Sequence, residues 1–177
     1  GLAQMVCDFL DSLELGPVTL VGCDLGGAVA QIVASEQPDR ISRLVLLPSG
    51  AFSPIAFHYL EAAGDEVRPR PQRGLPPAFG WAAKRPLDVA IADSYLRPSR
   101  MSEEVRRDLM KVLRGTTVAS VSRDIEWRRQ FRRPVLVAWP PEDRMFPYES
   151  AISLVETLPD ARLAPIEDSY TYVSEDQ

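Results

Sequence analysis

Pro17-Val-Thr-Leu-Val-Gly22-Cys-Asp24-Leu-Gly26-Gly27-Ala-Val-Ala-Gln-Ile-Val-Ala-Ser-Glu-Gln37 is the stretch whose reading decides the fold. The β-branched apolar run from Val18 to Val21 stops at Gly22, and an Ala-rich amphipathic segment begins just beyond Gly26 and Gly27. The order is therefore strand, very tight turn, helix. Asp24 stands at the apex of that turn. A carboxylate at such a corner sits on strained backbone, above the end of a sheet and near the positive end of a helix dipole, which is expected to favour its ionised form.

Working outward, Pro38 and Asp39 close the helix, and Ile41 to Leu47 is a second apolar run of strand length, ended by Pro48-Ser49-Gly50. Strand, helix and strand within about 30 residues imply a parallel crossover. On the other side, Leu2, Met5, Val6, Phe9, Leu10 and Leu13 recur at helical spacing up to Gly16-Pro17. Beyond Gly50 the pattern changes. Prolines at 69, 71, 76, 77 and 86 mark irregular chain, whereas Leu87 to Leu96 reads as a short helix. Ser102 is placed to cap a helix that carries Glu103 and Glu104 in its first turn and stops at Gly115, and another helix is expected over Val118 to Phe131. Strand character returns at Pro134 to Trp139. A helix is expected from Phe146 to Leu158, a last strand from Arg162 to Ile166 and a terminal loop from Glu167 to Gln177. Nearly all-apolar strands separated by helices imply an α/β fold, its parallel sheet covered by helices on both faces.

The pattern Gly22-x-Asp24-x-Gly26-Gly27 resembles the nucleophile elbow of the α/β-hydrolase superfamily, in which Gly-x-Ser-x-Gly places a serine at the apex. With aspartate there, the chain is similar to the epoxide-hydrolase and haloalkane-dehalogenase branches, in which that carboxylate attacks carbon. The resemblance implies a core in two parts, residues 1–50 and 134–177, separated by a helical cap over residues 51–133 that covers the catalytic carboxylate and selects the substrate. It also implies that several strands and an oxyanion loop precede residue 1, so the chain reads as a fragment of a longer protein, truncated at both ends.

In the superfamily the acid follows the first strand after the cap, in a segment similar to W-G-x-x-D. Trp139-Pro140-Pro141-Glu142-Asp143 places Asp143 there, with the implied role of orienting and charge-stabilising a histidine. That histidine belongs to a segment like I-P-x-x-G-H-F-V after the last strand. Here the segment is Ile166-Glu167-Asp168-Ser169-Tyr170-Thr171-Tyr172-Val173, and Thr171 holds the histidine's position. Threonine cannot act as a general base near neutral pH. The chain's one histidine, His58, lies in the cap beside Phe57 and Tyr59 and reads as packing.

The implied chemistry is attack by Asp24 on a small apolar electrophile, an epoxide, halide or ester; with an epoxide or halogenated carbon the product is an ester that water must then hydrolyse. The backbone N–H of Leu25 would serve as one lobe of the oxyanion hole. Leu25 itself stands where many dehalogenases have a halide-holding tryptophan, which disfavours the dehalogenase reading. Tyr59 and Tyr95 are candidate cap donors to an opening oxygen, and Trp81 and Trp127 read as core or lid packing. The alternative reading, carried by Thr171, is a catalytically impaired or repurposed ligand-binding member.

The 177 residues, 45% of them hydrophobic, suffice for one core. A net charge of −5 gives no reason to expect nucleic acid or an anionic membrane as partner, so the expected partner is a small-molecule substrate. The arginines at 123, 128, 129, 132 and 133 read as a solvated face beside Asp124 and Glu126. Cys7 and Cys23 have no partners at metal-ligand spacing, and no metal or cofactor is expected. A cytoplasmic location fits the cysteine usage, and no apolar run approaches the ~18 residues of a membrane span.

Overall fold

The computed structural model describes residues 1–49, 82–115 and 126–177. Four parallel strands form one sheet in the order β1 (Val18–Gly22), β2 (Ile41–Leu46), β3 (Val135–Trp139) and β4 (Ala161–Pro165). The chain enters through α1 (Leu2–Ser12), and α2 (Leu25–Glu36) connects β1 to β2. Between β2 and β3 the described residues form α3 (Val89–Met101), α4 (Glu103–Gly115) and α5 (Glu126–Gln130). Helix α6 (Tyr148–Thr157) links β3 to β4, and the one-turn α7 (Val173–Asp176) ends the chain.

The sheet is parallel with helical crossovers, as the apolar strands imply. Its core is built from Val33 of α2, Ile41, Leu44 and Leu46 of β2, Val137 and Trp139 of β3, and Phe146, all essentially excluded from water. Since β2 and β3 pair directly in the middle of the sheet, everything between them is an insertion at its end. Val21 of β1, the edge strand opposite β4, stays exposed, as do Met5 and Phe9 of α1 and Leu13 just after it.

Several boundaries differ from expectation for local reasons. Helix α2 begins directly after Asp24, so Gly26 and Gly27 lie in its first turn. Helix α3 starts at Val89 because the Asp88 carboxylate accepts the Ala90 N–H at 2.7 Å, and it runs past Leu96 to Met101. Ser102 caps α4 as expected, accepting the Val105 N–H at 3.2 Å. Of the helix expected over Val118 to Phe131, residues 118–125 lie outside the described residues and Glu126–Gln130 forms α5. Pro147 sits at the N-cap of α6, so that helix starts at Tyr148. The segment after Ile166, expected as loop throughout, ends in α7.

One buried carboxylate ties the middle of the insertion to the chain's last turn. Asp176 accepts the backbone N–H groups of Lys84, Arg85 and Tyr170 at 2.9 Å, with the Ser169 hydroxyl at 3.5 Å. The Tyr172 N–H donates to the Ala82 carbonyl at 2.9 Å, and the Lys84 ammonium bridges Glu142 and Asp168. Residues 82–85 are thereby fixed to both loops at the C-terminal end of the sheet. Asp176→Ala strips these buried donors of their acceptor and is expected to cost about 3 kcal/mol in urea unfolding.

The corner between β1 and α2 depends on two glycines. A Cβ at Gly22 would lie 2.6 Å from the Gly26 carbonyl oxygen, and one at Gly27 would lie 2.3 Å from the Ser49 side chain. Around Gly26 no described atom lies within 4 Å of that position. The steric need for glycine at this corner therefore falls on Gly22 and Gly27 and not on Gly26. Gly27→Ala is expected to destabilise by about 2–3 kcal/mol, partly recovered by adding Ser49→Gly, whereas Gly26→Ala is expected to be neutral or to stabilise by about 0.5 kcal/mol. A destabilised Gly26→Ala would show that this glycine has a steric role as well.

Candidate active site

Asp24 has φ 51° and ψ −125°, a left-handed conformation that an L residue adopts only when its surroundings hold it there. The Asp24 N–H donates to the Pro48 carbonyl at 2.7 Å, and the Leu47 N–H donates to the Gly22 carbonyl at 2.9 Å. The elbow is thus strapped to the end of β2. The Asp24 side chain makes no capping bond to α2, so its geometry is not that of an ordinary helix cap. The carboxylate is instead half-buried at the end of the sheet, facing the Leu25 N–H.

Asp143 is positioned by the end of β3. Trp139 is fully buried, donates its indole N–H to the Phe146 carbonyl at 3.0 Å and packs edge-on against the Phe146 ring. This folds residues 140–146 into a tight loop. Within it, Asp143 Oδ1 accepts the N–H groups of Met145 at 2.7 Å and Phe146 at 2.8 Å. Thr171, fully buried after β4, donates its hydroxyl to the same Oδ1 at 2.9 Å. Asp143 Oδ2 is buried and has no hydrogen-bond partner among the described residues. The carboxylate therefore both organises its own loop and meets Thr171, the residue at the position expected for a histidine.

The loops converge on the elbow. The Cys23 thiol lies 3.7 Å from the Pro48 carbonyl and 3.9 Å from the Thr171 carbonyl. Burial raises the pKa of Asp24 above the usual carboxylate value; the Leu25 N–H offsets this in part, and the negative charge of Asp143 adds to it. The expected preference of Asp24 for its ionised form is therefore corrected: loss of hydration outweighs the helix terminus. Burial also raises Asp143, against the pull of the Phe146 and Met145 N–H groups and the Thr171 hydroxyl. The Cys23 thiol is pushed up to about 11, first by burial and then by Asp24 and Asp143. The charge of Asp143 thus reaches the elbow, acting on both Cys23 and Asp24.

Tyr172 escaped the sequence reading. Its phenol is pushed up to about 12 by burial and by the charges of Asp24 and Cys23, which keeps it protonated beside the elbow. The signal was its place next to Thr171, in the one loop that returns to Asp24. Tyr95, on α3, donates its hydroxyl to the Glu175 carboxylate. Tyr59, His58 and Trp81 lie outside the described residues. Trp127 packs edge-on against Phe131.

The arginines near α5 are mostly surface groups. Arg129 pairs with Glu126 and Arg133 with Asp39, while Arg128 is half-buried and donates to the Gln31 side chain at 2.9 Å. Cys7 and Cys23 are both free thiols, and no group of metal-ligating side chains occurs among the described residues. No described helix is long and apolar enough to cross a membrane.

Comparison with known proteins bears on the whole chain. It is 26% identical over 180 residues to a poly(3-hydroxyalkanoate) depolymerase of Ectopseudomonas oleovorans, covering 98% of this chain and 61% of that protein. It is 27% identical over 174 residues to a 2-hydroxy-6-oxononadienedioate/2-hydroxy-6-oxononatrienedioate hydrolase of Burkholderia vietnamiensis, covering 91% of this chain and 58% of the relative. The chain thus spans about three fifths of the length of these curated relatives. Its fold matches the 2-hydroxy-6-oxo-6-phenylhexa-2,4-dienoate hydrolase of Rhodococcus sp. strain RHA1 with a TM-score of 0.80 at 18% identity, over 99% of this chain and 64% of that one. The model of the alpha/beta hydrolase family matches residues 2–172, and the chain belongs to that family.

Proposed function

We propose that the protein is a hydrolase in which Asp24 is the nucleophile, acting on a small apolar electrophile of the epoxide, halide or ester class. The observation that carries the reading is the Asp24 backbone, held at φ 51° on the elbow with its side chain unspent on capping. For an epoxide, an Asp24 oxygen attacks a ring carbon, a carbon–oxygen bond forms as the ring carbon–oxygen bond breaks, and the departing oxygen takes a proton from a phenol. Tyr172, next to Thr171 in the loop that returns to the elbow, joins Tyr59 and Tyr95 as a candidate donor. For a halide, the carbon–halogen bond breaks and halide leaves. The product in both cases is an ester on Asp24, which water must cleave. The relatives named as hydrolases support hydrolysis as the reaction class.

A second reading, a binding protein that has lost hydrolysis, is favoured by Thr171 at the histidine position. The two separate in one experiment on the full-length protein. Incubation with a panel of terminal epoxides, primary haloalkanes and short-chain esters is expected to give turnover or a covalent adduct in intact-mass spectra, and Asp24→Asn should abolish both. Saturable binding of the same compounds without turnover or adduct, unchanged by Asp24→Asn, would establish the second reading instead.

Burial of Asp24 also sets a stability prediction. Its folded pKa lies above the unfolded value of about 3.9, so between the two the native state binds more protons than the unfolded state, and stability falls as pH rises through that window. Asp24→Asn removes the buried charge and is expected to stabilise by on the order of 1 kcal/mol at pH 7. The gain should shrink as pH falls below the folded pKa, where Asp24 itself is neutral. Thermal unfolding of both proteins from pH 3.5 to 8 checks this, and a gain that does not change with pH would rule out desolvation as its cause.

A further inference from the structure

We propose that Lys84 is a positioning residue for the candidate active site: its ammonium locks the loop that carries Asp143 to the loop that carries Thr171. The effect on reaction rests on the reading of Asp24 as nucleophile.

The contacts of one side chain carry it. Lys84 Nζ donates to both oxygens of Glu142, at 2.7 and 2.8 Å, and lies 3.0 Å from Asp168 Oδ1. Glu142 directly precedes Asp143 in the loop after β3. Asp168, in the loop after β4, is held at φ 56° at the corner where the chain turns inward to the buried Ser169 and Thr171. The ammonium therefore grips one loop next to Asp143 and the other just before Thr171, on either side of the Thr171–Asp143 hydrogen bond. Its own base is rigid, because the Lys84 N–H donates to both oxygens of the buried Asp176, at 2.9 and 3.0 Å.

An ion pair between two free surface side chains contributes little, since both must be ordered to meet. Here the Lys84 backbone is already fixed, its side chain is only 25% exposed, and one cation serves two carboxylates. Hydrogen bonds to Glu142 first and then to Asp168 accordingly raise the Lys84 pKa. The neighbouring Arg85 guanidinium pairs with Asp168 and, among the described residues, reaches no group of the loop after β3. The bridge between the loops thus belongs to Lys84. Its consequence at the elbow runs through Asp143, whose negative charge acts on Asp24. Holding that loop holds the charge in place relative to the nucleophile.

The test compares full-length wild type with Lys84→Met, Lys84→Arg, Glu142→Gln and Arg85→Met, by hydrogen exchange and by Asp24 adduct formation. In Lys84→Met and Glu142→Gln the amides of Asp143, Met145 and Phe146 should exchange at least about fivefold faster, whereas Lys84→Arg should restore them and Arg85→Met leave them unchanged. The Tyr170 and Tyr172 amides, bonded to Asp176 and Ala82, should keep their wild-type exchange in every variant. With a terminal epoxide or a primary bromoalkane, Lys84→Met should slow adduct formation at saturating compound by about fivefold and leave the half-saturating concentration within about twofold. Glu142→Gln carries the test if Lys84→Met folds poorly. Wild-type exchange at Asp143, Met145 and Phe146 in these two variants would overturn the bridge, as would an equal acceleration at Tyr170 and Tyr172. Faster exchange with an unchanged adduct rate would overturn the positioning role. No adduct in wild type with any probe refutes the nucleophile itself, and the exchange pattern then decides the bridge alone.

Discussion

Everything at the candidate site depends on how closely helix α2 approaches the end of strand β1. The gap at Gly22 and Gly27 is too narrow for a Cβ on either residue, and the chain crosses it in a few residues. Asp24 absorbs the reversal at φ 51°, at a cost typical of such positions of about 1–3 kcal/mol. The strap from the Asp24 N–H to the Pro48 carbonyl and the packing of Gly27 on Ser49 hold the strain in place. Because the residues just after β2 supply both contacts, the sheet's register fixes the height of the carboxylate above its end. The loops after β3 and β4 leave the same end of the sheet, which is why Asp143 and Thr171 arrive at the elbow although they are distant from it in sequence.

Much of this was legible in the residues. Apolar strand runs, the elbow glycines and the prolines at loop ends are local signals, and the four strands follow them closely. Asp143 was singled out by the resemblance of Trp139-Pro140-Pro141-Glu142-Asp143 to a family segment, and in the structure the buried tryptophan has to satisfy its indole N–H. Trp139 does so by folding the next loop back on itself, bringing Phe146 and the carboxylate to fixed places. The upward shift of the Asp24 pKa was not legible. A helix terminus is visible in sequence, but desolvation depends on which loops close over the carboxylate, and those come from residues more than a hundred positions away. Tyr172 was missed for the same reason, since its proximity to Asp24 is purely tertiary.

Asp143, in the loop after β3, and Asp176, in α7 after β4, show how differently one chemical group is treated in one fold. Asp176 is buried, and its two oxygens share three backbone N–H groups and a nearby hydroxyl. That is the pattern of a structural carboxylate, in which hydrogen bonds replace lost hydration. Asp143 receives three donors as well, but all on one oxygen, and the second stays bare in a buried setting. Such an incomplete arrangement costs folding free energy that a rotated side chain or one further donor would recover. Folds tolerate these costs mainly where the uncompensated group has work to do. The hydroxyl from the loop after β4 joins two backbone N–H groups on one oxygen, so it satisfies only half of the carboxylate.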